Sequence, residues 1–212
     1  MTHVRVQAGE DSFEGRAILQ GFGSDMADWH EEGLGRFRLE GEVLHVDAHE
    51  GGYTAFYKKP LPADILVRYR CRLVPPQGQN NINLISHCRG PEAGRWPIVE
   101  LGRYKGYQAI PNYIVTFVGD FNEDTGARDS HGRTRLRRNP GFTLIDEKFE
   151  VPSDLGREYE ISFAAAGGRL RYYIDGRKIF DWQDPEPLPG GHFALRTYKT
   201  VGEYSGLMIL GL

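Results

Sequence analysis

The sequence predicts an all-β protein, a two-sheet antiparallel sandwich, and the clearest signal lies near the C-terminus. Residues 159–182 contain three runs in which apolar and polar residues alternate, the pattern of half-buried strands. Gly167-Gly168 and Asp175-Gly176 separate these runs, and both dipeptides accept the positive φ angles that two-residue hairpin turns require. Residues 191–197 and 204–209 predict two further strands. The C-terminal segment is therefore predicted to be a set of antiparallel strands joined by tight turns.

The composition is that of one strand-and-turn domain. The chain has 212 residues, enough for a single sandwich with a full core, and contains 27 Gly, 12 Pro, 11 Tyr and 11 Phe. No linker, repeat or low-complexity tract divides it, so we predict one domain over residues 1–212. A net charge of −3 provides no bulk field for nucleic acid or for a membrane surface, and no apolar run is long enough to span a bilayer. We therefore expect neither nucleic acid nor a membrane as a partner, and the oligomeric state stays open.

The N-terminus and the cysteines indicate where in the cell the protein is expected. Residues 1–6 lack the apolar core of a signal peptide, so we expect a cytoplasmic protein, with a leader already removed as the alternative. Cys71 and Cys88 both lie in strand-like runs, which predicts buried free thiols; a disulfide would require facing positions that a sequence does not show. No spacing of His and Cys indicates zinc, and we predict no cofactor.

One acidic loop offers ligands for a structural metal ion. Residues 120–124 read Asp-Phe-Asn-Glu-Asp, and oxygen ligands of this kind suit Ca²⁺. The loop lacks the spacing of an EF-hand, and a solvated acidic loop explains the same residues. We therefore assign no residue as a metal ligand and keep structural calcium as an alternative.

Strand patterns also predict most of the remaining chain. The predicted strands and one hairpin cover residues 4–6, 17–21, 36–47, 54–58, 65–73, 113–118 and 134–142. Residues 25–35 predict a loop, and no segment predicts a helix. Two long loops, 90–111 and 119–132, are rich in Gly and polar residues. Because long loops in compact domains are often functional, we expect them to wall a site in the concave groove of one sheet.

An arginine cluster provides the sharpest candidate binding surface. In a strand, Arg133, Arg135 and Arg137 lie on one face because side chains alternate. Guanidinium forks bind carboxylates in bidentate fashion, so this face predicts a uronic acid or a sulfated sugar as ligand. The alternative is a solvated face whose arginines pair with acidic residues of the neighbouring loop. Arg138 and Arg196 are further candidates for substrate binding.

A second polar face is predicted over residues 80–89. In strand register, one face carries Asn81, Asn83, Ile85, His87 and Arg89. The residues expected to point into the core are Ile82, Leu84, Ser86 and Cys88. His87 is a candidate general acid or base because its unperturbed pKa lies near neutrality, and a histidine hydrogen-bonded on the sheet surface is the alternative. Asn81, Asn83 and Arg89 are candidate sugar ligands.

Aromatic residues around the first long loop provide a candidate sugar platform. Flat aromatic rings pack against the apolar C–H faces of sugar rings, and their polar groups form hydrogen bonds. Tyr104 and Tyr107 lie in a Gly-containing stretch of the loop, which predicts exposure, and Trp96 lies in the same loop. Tyr113 begins a strand, so packing in the core is the stronger reading for it, although it is also a candidate catalytic residue.

Several segments of the chain resemble one family. The resembling blocks are residues 113–116, 134–142, 156–159, 182–184 and 190–196. They look like the YesU-type family, a domain of unknown function with a concanavalin A-like jelly roll, and the resemblance spans residues 29–212. Its most specific part is Arg-Leu-Arg-Arg-Asn-Pro-Gly-Phe at 135–142. Members tend to occur in bacterial gene clusters for pectin and related acidic polysaccharides, so the resemblance implies a jelly roll that handles an acidic carbohydrate.

Three functions fit these residues. The one we favour from sequence is an enzyme acting on uronate-containing oligosaccharides, either a lyase or an unusual glycosidase. In β-elimination, Arg135 or Arg137 would neutralise the substrate carboxylate. His87 or Tyr113 would then transfer the proton. The close pair of carboxylates that retaining glycosidases use is not seen in one strand. The second function is a non-catalytic carbohydrate-binding module, and the third is an interaction protein with solvated arginines.

Overall fold

Two antiparallel sheets pack face to face in the computed structural model, which confirms the predicted all-β sandwich. The first sheet has nine strands and the second has seven, and a separate ribbon has two. The residues that the structure describes are 3–76, 80–90, 95–119, 121–122, 127–128, 132–149 and 151–212.

The strands have the following bounds. In chain order they are β1 His3–Ala8, β2 Asp11–Gln20, β3 Trp29–Gly33, β4 Arg36–Glu40, β5 Val43–Asp47, β6 Gly52–Tyr57, β7 Ile65–Val74, β8 Asn81–Cys88, β9 Asn112–Val118, β10 Phe121–Asn122, β11 Ala127–Arg128, β12 Arg133–Asn139, β13 Thr143–Lys148, β14 Glu158–Ala166, β15 Arg169–Ile174, β16 Arg177–Gln183, β17 His192–Tyr198 and β18 Val201–Gly211. A 3₁₀ turn (Glu100–Gly102) and the four-residue helix α1 (Tyr104–Tyr107) lie in the first long loop. The sequence predicts no helix, so this short element is a correction.

Each of the last two strands lies in the interior of one sheet. The first sheet has the order β1-β2-β18-β7-β14-β15-β16, with β4 and β5 attached to β18 through β5. The second sheet has the order β13-β12-β9-β8-β17-β6-β3. β18 thus lies between β2 and β7, and β17 lies between β6 and β8. The C-terminal strands therefore fix the registers of strands from distant parts of the chain.

The C-terminal meander forms as predicted. β14 pairs with β15, and β15 pairs with β16, both antiparallel. Gly167, Gly168, Asp175 and Gly176 all have positive φ, between 50° and 76°. These dipeptides therefore adopt the backbone conformation that tight hairpin turns require.

The main core lies between the sheets and is dominated by aromatic rings. Alternation along β7 directs Val67 and Tyr69 into the core and leaves Arg68 and Arg70 on the outer side. Buried rings from both sheets fill the interior, among them Phe117 and those of many tyrosines. Burying one such ring contributes roughly 1.5–3 kcal/mol, as does burying one of the Leu, Ile or Val side chains that pack with them.

The two cysteines behave as predicted. Cys71 and Cys88 are free and buried, and burial raises the pKa of both thiols. They are therefore small core residues rather than reactive groups. In the part of the chain that the structure describes, no helix is long and apolar enough to cross a membrane.

The two edge strands of the second sheet lie where the sequence predicts no strand. β3 falls within residues 25–35, so the predicted loop is wrong for residues 29–33. Trp29 anchors β3 because its ring is buried and its indole N–H donates to the Phe22 carbonyl at 3.1 Å. β13 pairs with β12, with an irregularity between Leu136 and Arg137. Neither edge strand alternates cleanly, which explains why periodicity does not reveal them.

The β1–β2 hairpin builds a second, smaller core on the outer side of the first sheet. Phe13 packs there against Leu66 and Tyr173, and its ring meets the Tyr173 ring edge to face at 6.3 Å. The turn of this hairpin touches the β15–β16 turn, where a Cβ on Gly9 would lie 2.2 Å from the Gly176 carbonyl oxygen. The contact between the two turns therefore requires glycine at position 9.

We predict that Gly9→Ala destabilises the protein more than Gly41→Ala. Both glycines occupy hairpin turns with a φ of +59°, but a Cβ on Gly41 would have nothing within 4 Å. The left-handed conformation should therefore cost about 1–2 kcal/mol in either variant. Steric overlap at Gly9 should add roughly 1–3 kcal/mol. Urea unfolding measures the difference, and equal free energies of unfolding for the two variants would contradict the packing of the two turns.

Candidate functional site

A row of polar residues crosses the whole second sheet on its outer face. Residues opposite one another in an antiparallel pair lie on the same face, so the strand registers define the row. From β13 to β3 its members are Glu147, Arg135, Thr116, Asn83, Arg196, Thr54 and Glu32. Their chain neighbours Leu84, Val115, Leu136 and Leu195 belong to the core between the sheets. The polar row therefore points away from that core.

The described part of the first long loop, residues 95–111, covers one half of this outer face. Val99 and Tyr107 are buried there against the sheet residues Phe56, Ile85 and Ile114. This apolar contact lies beside the polar row, so the loop borders the row; that it walls a concave groove stays a prediction. The second loop, 119–132, lies mostly outside the described residues.

Glu32 holds the loop in place. Its carboxylate accepts hydrogen bonds from the Ile98 and Val99 backbone N–H groups and from the Tyr107 hydroxyl, the last at 2.6 Å. Burial raises the pKa of Glu32, and these hydrogen bonds oppose the rise. Sequence reasoning misses Glu32 because it lies in a segment predicted to be a loop. Its position directly before Gly33 in a polar stretch carries no signal that would reveal it.

Arg196 is a buried guanidinium without a carboxylate partner among the described residues. Only 4% of the residue is exposed, and its guanidinium lies 4.6 Å from the centre of the Tyr104 ring and 6.0 Å from that of Tyr107. Its Nε has no hydrogen-bond partner, and burial lowers the pKa of Arg196. Gly52 opens the space for it, since a Cβ there would lie 3.0 Å from an Arg196 Nη atom. The chain therefore holds a desolvated cation in a fixed position.

Asn81 and Asn83 share one face of β8, as predicted, and the pairing with β17 places Arg196 on that face as well. Asn83 is opposite Arg196 in the register, and its Nδ2 donates to the Asn81 Oδ1. Its own Oδ1 is buried and has no hydrogen-bond partner. Two residues that are opposite each other in the register therefore each bury a polar atom without a hydrogen-bond partner.

The three arginines of β12 share the outer face, as predicted. Arg135 donates from Nε to Glu147 Oε1 at 2.5 Å, and Arg133 lies 3.6 Å from the same oxygen. The sequence analysis expected acidic partners in the loop before β12, most of which lies outside the described residues. Glu147 on β13 is instead the described partner of this pair.

Arg137 contacts different groups from those that Arg133 and Arg135 contact. Its guanidinium lies 3.9 Å from the centre of the Phe142 ring, and it donates to the Phe142 carbonyl at 3.0 Å. The Phe142 ring in turn meets the Tyr104 ring edge to face at 5.7 Å. Arg137 and Arg196 are therefore connected through two aromatic rings, one from β12's following turn and one from α1.

His87 turns away from this face, which corrects the predicted alternation along β8. It has a φ of +56°, and the pairing with β17 shifts register at this point. Cys88, expected in the main core, packs instead with Ile85 under the covering loop. The imidazole contacts Tyr113, lies 2.9 Å from the Ala63 carbonyl through Nε2 and 2.8 Å from the Ser86 hydroxyl through Nδ1. Both ring nitrogens are thus occupied by protein groups.

Tyr113 and Arg138 also point to the inner side of the second sheet. The Tyr113 hydroxyl donates to Asp184 Oδ2 at 2.5 Å and accepts the Leu188 backbone N–H, while Arg138 donates to the same Asp184 oxygen at 2.9 Å. Burial raises the pKa of Tyr113. His87 and Tyr113 line a cavity of about 230 Å³ at the edge of the sandwich. His87 and Tyr113 therefore lie on the opposite face of the sheet from Arg133, Arg135 and Arg137, whereas Arg138 shares the face of Tyr113.

The remaining candidates occupy different environments. Tyr107, expected to be exposed, is completely buried because its hydroxyl bonds Glu32, whereas Tyr104 is half-buried. Arg89 is exposed just after β8, where its backbone N–H donates to the Pro111 carbonyl. Within the described ranges, no three His, Cys, Asp or Glu residues group as metal ligands. Most of the predicted calcium loop, 120–124, lies outside those ranges.

Comparison with known families identifies the domain. A family model described as a domain of unknown function, DUF6250, matches residues 47–205, which is more than half of the chain. The chain belongs to the DUF6250 family. The YesU-type resemblance stays a prediction beside this match. No curated protein matches the chain.

Solved structures similar to the DUF6250 domain are jelly-roll sandwiches of low sequence identity. A protein of unknown function with a galectin-like fold from Bacillus subtilis aligns over 99% of this chain and 98% of its own, with a TM-score of 0.74 and 16% identity. The carbohydrate-binding module CBM66 from Bacillus subtilis covers 89% and 99%, with a TM-score of 0.62 and 14% identity. The exoplasmic/lumenal domain of VIP36, in a Ca²⁺- and mannose-bound form, covers 91% and 87%, with a TM-score of 0.65 and 12% identity. These likenesses confirm the predicted jelly-roll fold.

We predict that His87 destabilises the DUF6250 domain as the pH falls. Burial lowers the pKa of His87, so below about pH 6.5 the unfolded chain binds a proton that the folded chain resists. The free energy of unfolding should therefore fall with decreasing pH through this window, and His87→Gln should flatten that dependence. Urea unfolding between about pH 7.5 and 5.5 measures it.

His49 provides the opposite control. It is exposed, and the hydrogen bond that its ring Nδ1–H donates to the Asp47 carboxylate raises its pKa, so its contribution to stability is present at low pH and is lost as the pH rises. His49→Gln should therefore change the pH dependence in the opposite sense. Identical pH profiles for wild type and His87→Gln would show that His87 is not held neutral in the fold.

Proposed function

We propose that the DUF6250 domain binds an acidic carbohydrate on the outer face of its second sheet. The observation that carries the proposal is Arg196, a buried guanidinium that faces no carboxylate among the described residues. Taking an ion out of water costs several kcal/mol, and a buried cation is normally paired. A carboxylate or sulfate on a ligand would supply the missing partner.

The surroundings of Arg196 suit a sugar better than a simple anion. Asn83, which lies opposite Arg196 in the register, adds a buried amide oxygen without a hydrogen-bond partner beside the guanidinium. Tyr104 provides a half-buried aromatic ring beside the guanidinium, and such rings pack against the apolar faces of sugars. The similar structures include a carbohydrate-binding module and a mannose-bound domain, which supports a carbohydrate as the class of ligand.

Binding without catalysis is the form of this function that the geometry favours. The lyase hypothesis needs a proton-transfer group near Arg135 or Arg137, and His87 and Tyr113 lie on the other face of the sheet, where Arg138 is paired with Asp184. Both ring nitrogens of His87 are occupied, and burial raises the pKa of Tyr113. We therefore place the sequence-based alternative, a carbohydrate-binding module, ahead of the enzyme.

We predict that Arg196→Met abolishes binding while stabilising the free protein. Loss of a buried anchoring contact should weaken affinity by about 2–4 kcal/mol, roughly 30- to 1,000-fold. Replacing an unpaired buried charge by an apolar side chain should raise the free energy of unfolding by about 1–3 kcal/mol. Isothermal titration calorimetry with uronic acid oligosaccharides and urea unfolding measure the two effects.

Two controls isolate the role of the charge. Carboxyl-reduced oligosaccharides of the same length keep every hydroxyl and lose the anion, so they should bind at least tenfold more weakly. Arg70→Gln changes an exposed arginine on the other sheet and should leave the affinity unchanged. All titrations are run with and without calcium. Undiminished binding by Arg196→Met, or no binding of any acidic saccharide by the wild type, would refute the proposal.

A further inference from the structure

We infer that Arg137 forms a second anion subsite, so that the ligand is an oligosaccharide carrying at least two acidic groups. This inference rests on the proposed function and extends it from one charged contact to two. The connection between the subsites is the pair of rings described above. Arg196 lies against Tyr104, Tyr104 meets Phe142, and Phe142 lies against Arg137.

Arg137 is the β12 arginine best placed to receive an external anion. Arg135 already donates to Glu147, and Arg133 lies close to the same carboxylate. Arg137 forms no ion pair with a described carboxylate, and its one hydrogen bond in the described structure goes to the Phe142 carbonyl. A guanidinium has five N–H donors, so most of those on Arg137 are available. Its stacking on Phe142 fixes its direction without neutralising its charge.

The separation of the two cations sets the size of the ligand. Arg196 is on β17 and Arg137 is on β12, with β8 and β9 between them. Three inter-strand spacings of about 4.8 Å place the two backbones roughly 14 Å apart. A single uronic acid carries only one carboxylate, so it cannot supply a separate acidic group to each of the two arginines. An oligomer that lies across the strands would present one acidic group to each end.

The floor between the subsites fits such an oligomer. Asn83 and Thr116 continue the polar row from Arg196 towards β12, both as buried polar residues beneath the surface of the face. Tyr104 and Phe142 are both half-buried, so each leaves part of its ring surface exposed. The row therefore combines hydrogen-bonding groups with apolar ring faces between two cations, which matches a chain of sugar rings with acidic groups at intervals.

The inference is tested by the ratio of affinities for a monomer and a trimer. Galacturonic acid and trigalacturonic acid are titrated into the wild-type protein. Statistics alone allow about a threefold preference for the trimer, because it offers three equivalent groups, so we expect a preference of tenfold or more. Arg137→Gln should reduce that ratio to threefold or less, and Arg70→Gln should leave it unchanged. Arg137→Lys, which keeps the charge and loses the planar stacking, should give an intermediate ratio.

The NMR signals of the two arginines show directly which of them each ligand contacts. In ¹⁵N NMR spectra, the monomer should shift the Nε–H signal of Arg196 alone, and the trimer should shift those of both Arg196 and Arg137. Equal affinities of monomer and trimer, or a high ratio that survives Arg137→Gln in a folded variant, would overturn the second subsite and leave the proposed function intact. Failure of both ligands to bind would overturn the proposed function as well.

Discussion

The register of the second sheet is the constraint on which the rest of the site depends. Side chains alternate strictly along a strand, so a slip of one residue would send a whole face to the other side. Asn83 is opposite Arg196 on one neighbour and opposite Thr116 on the other. A slip in β8 alone would replace Asn83 by Leu84 or Ile82 in the polar row. The apolar core of the opposite face therefore holds the polar row in place, because breaking the register would also expose Leu84.

The row contains two buried charges that the fold treats differently. Glu32 receives two backbone N–H groups and a tyrosine hydroxyl, so the chain satisfies it internally. Arg196 lies two strands away, at roughly 10 Å between backbones, and receives only aromatic rings. The hydrogen bonds of Glu32 fix the loop that buries Arg196. The carboxylate that the chain satisfies therefore helps to remove the unpaired guanidinium from water. The two charges therefore do not form an ion pair with each other, and the proposed function assigns the free side of Arg196 to a ligand.

The sequence predicts the parts of this arrangement that follow from alternation and turn chemistry. The C-terminal meander and the common face of Arg133, Arg135 and Arg137 both follow from local patterns. The backbone irregularity at His87 breaks the alternation, and a positive φ at a non-glycine residue leaves no trace in the sequence. The burial of Arg196 depends on a loop that is distant in the chain, and Glu32 lies in an edge strand without clean periodicity. Local rules therefore predict which face a residue occupies, but not which part of that face a loop will cover.

An unpaired buried cation would discriminate against neutral ligands. A neutral sugar that displaced water from Arg196 would leave the guanidinium desolvated without an opposite charge, so the site would disfavour it even with good hydroxyl contacts. An anionic sugar restores the missing partner and recovers part of the desolvation cost that the free protein carries. Proteins with the same fold bind many different ligands. The side chains on the binding face, rather than the fold, therefore determine which ligand is bound. In the proposed function the discriminating group is the charge of Arg196, which lies against the aromatic ring of Tyr104.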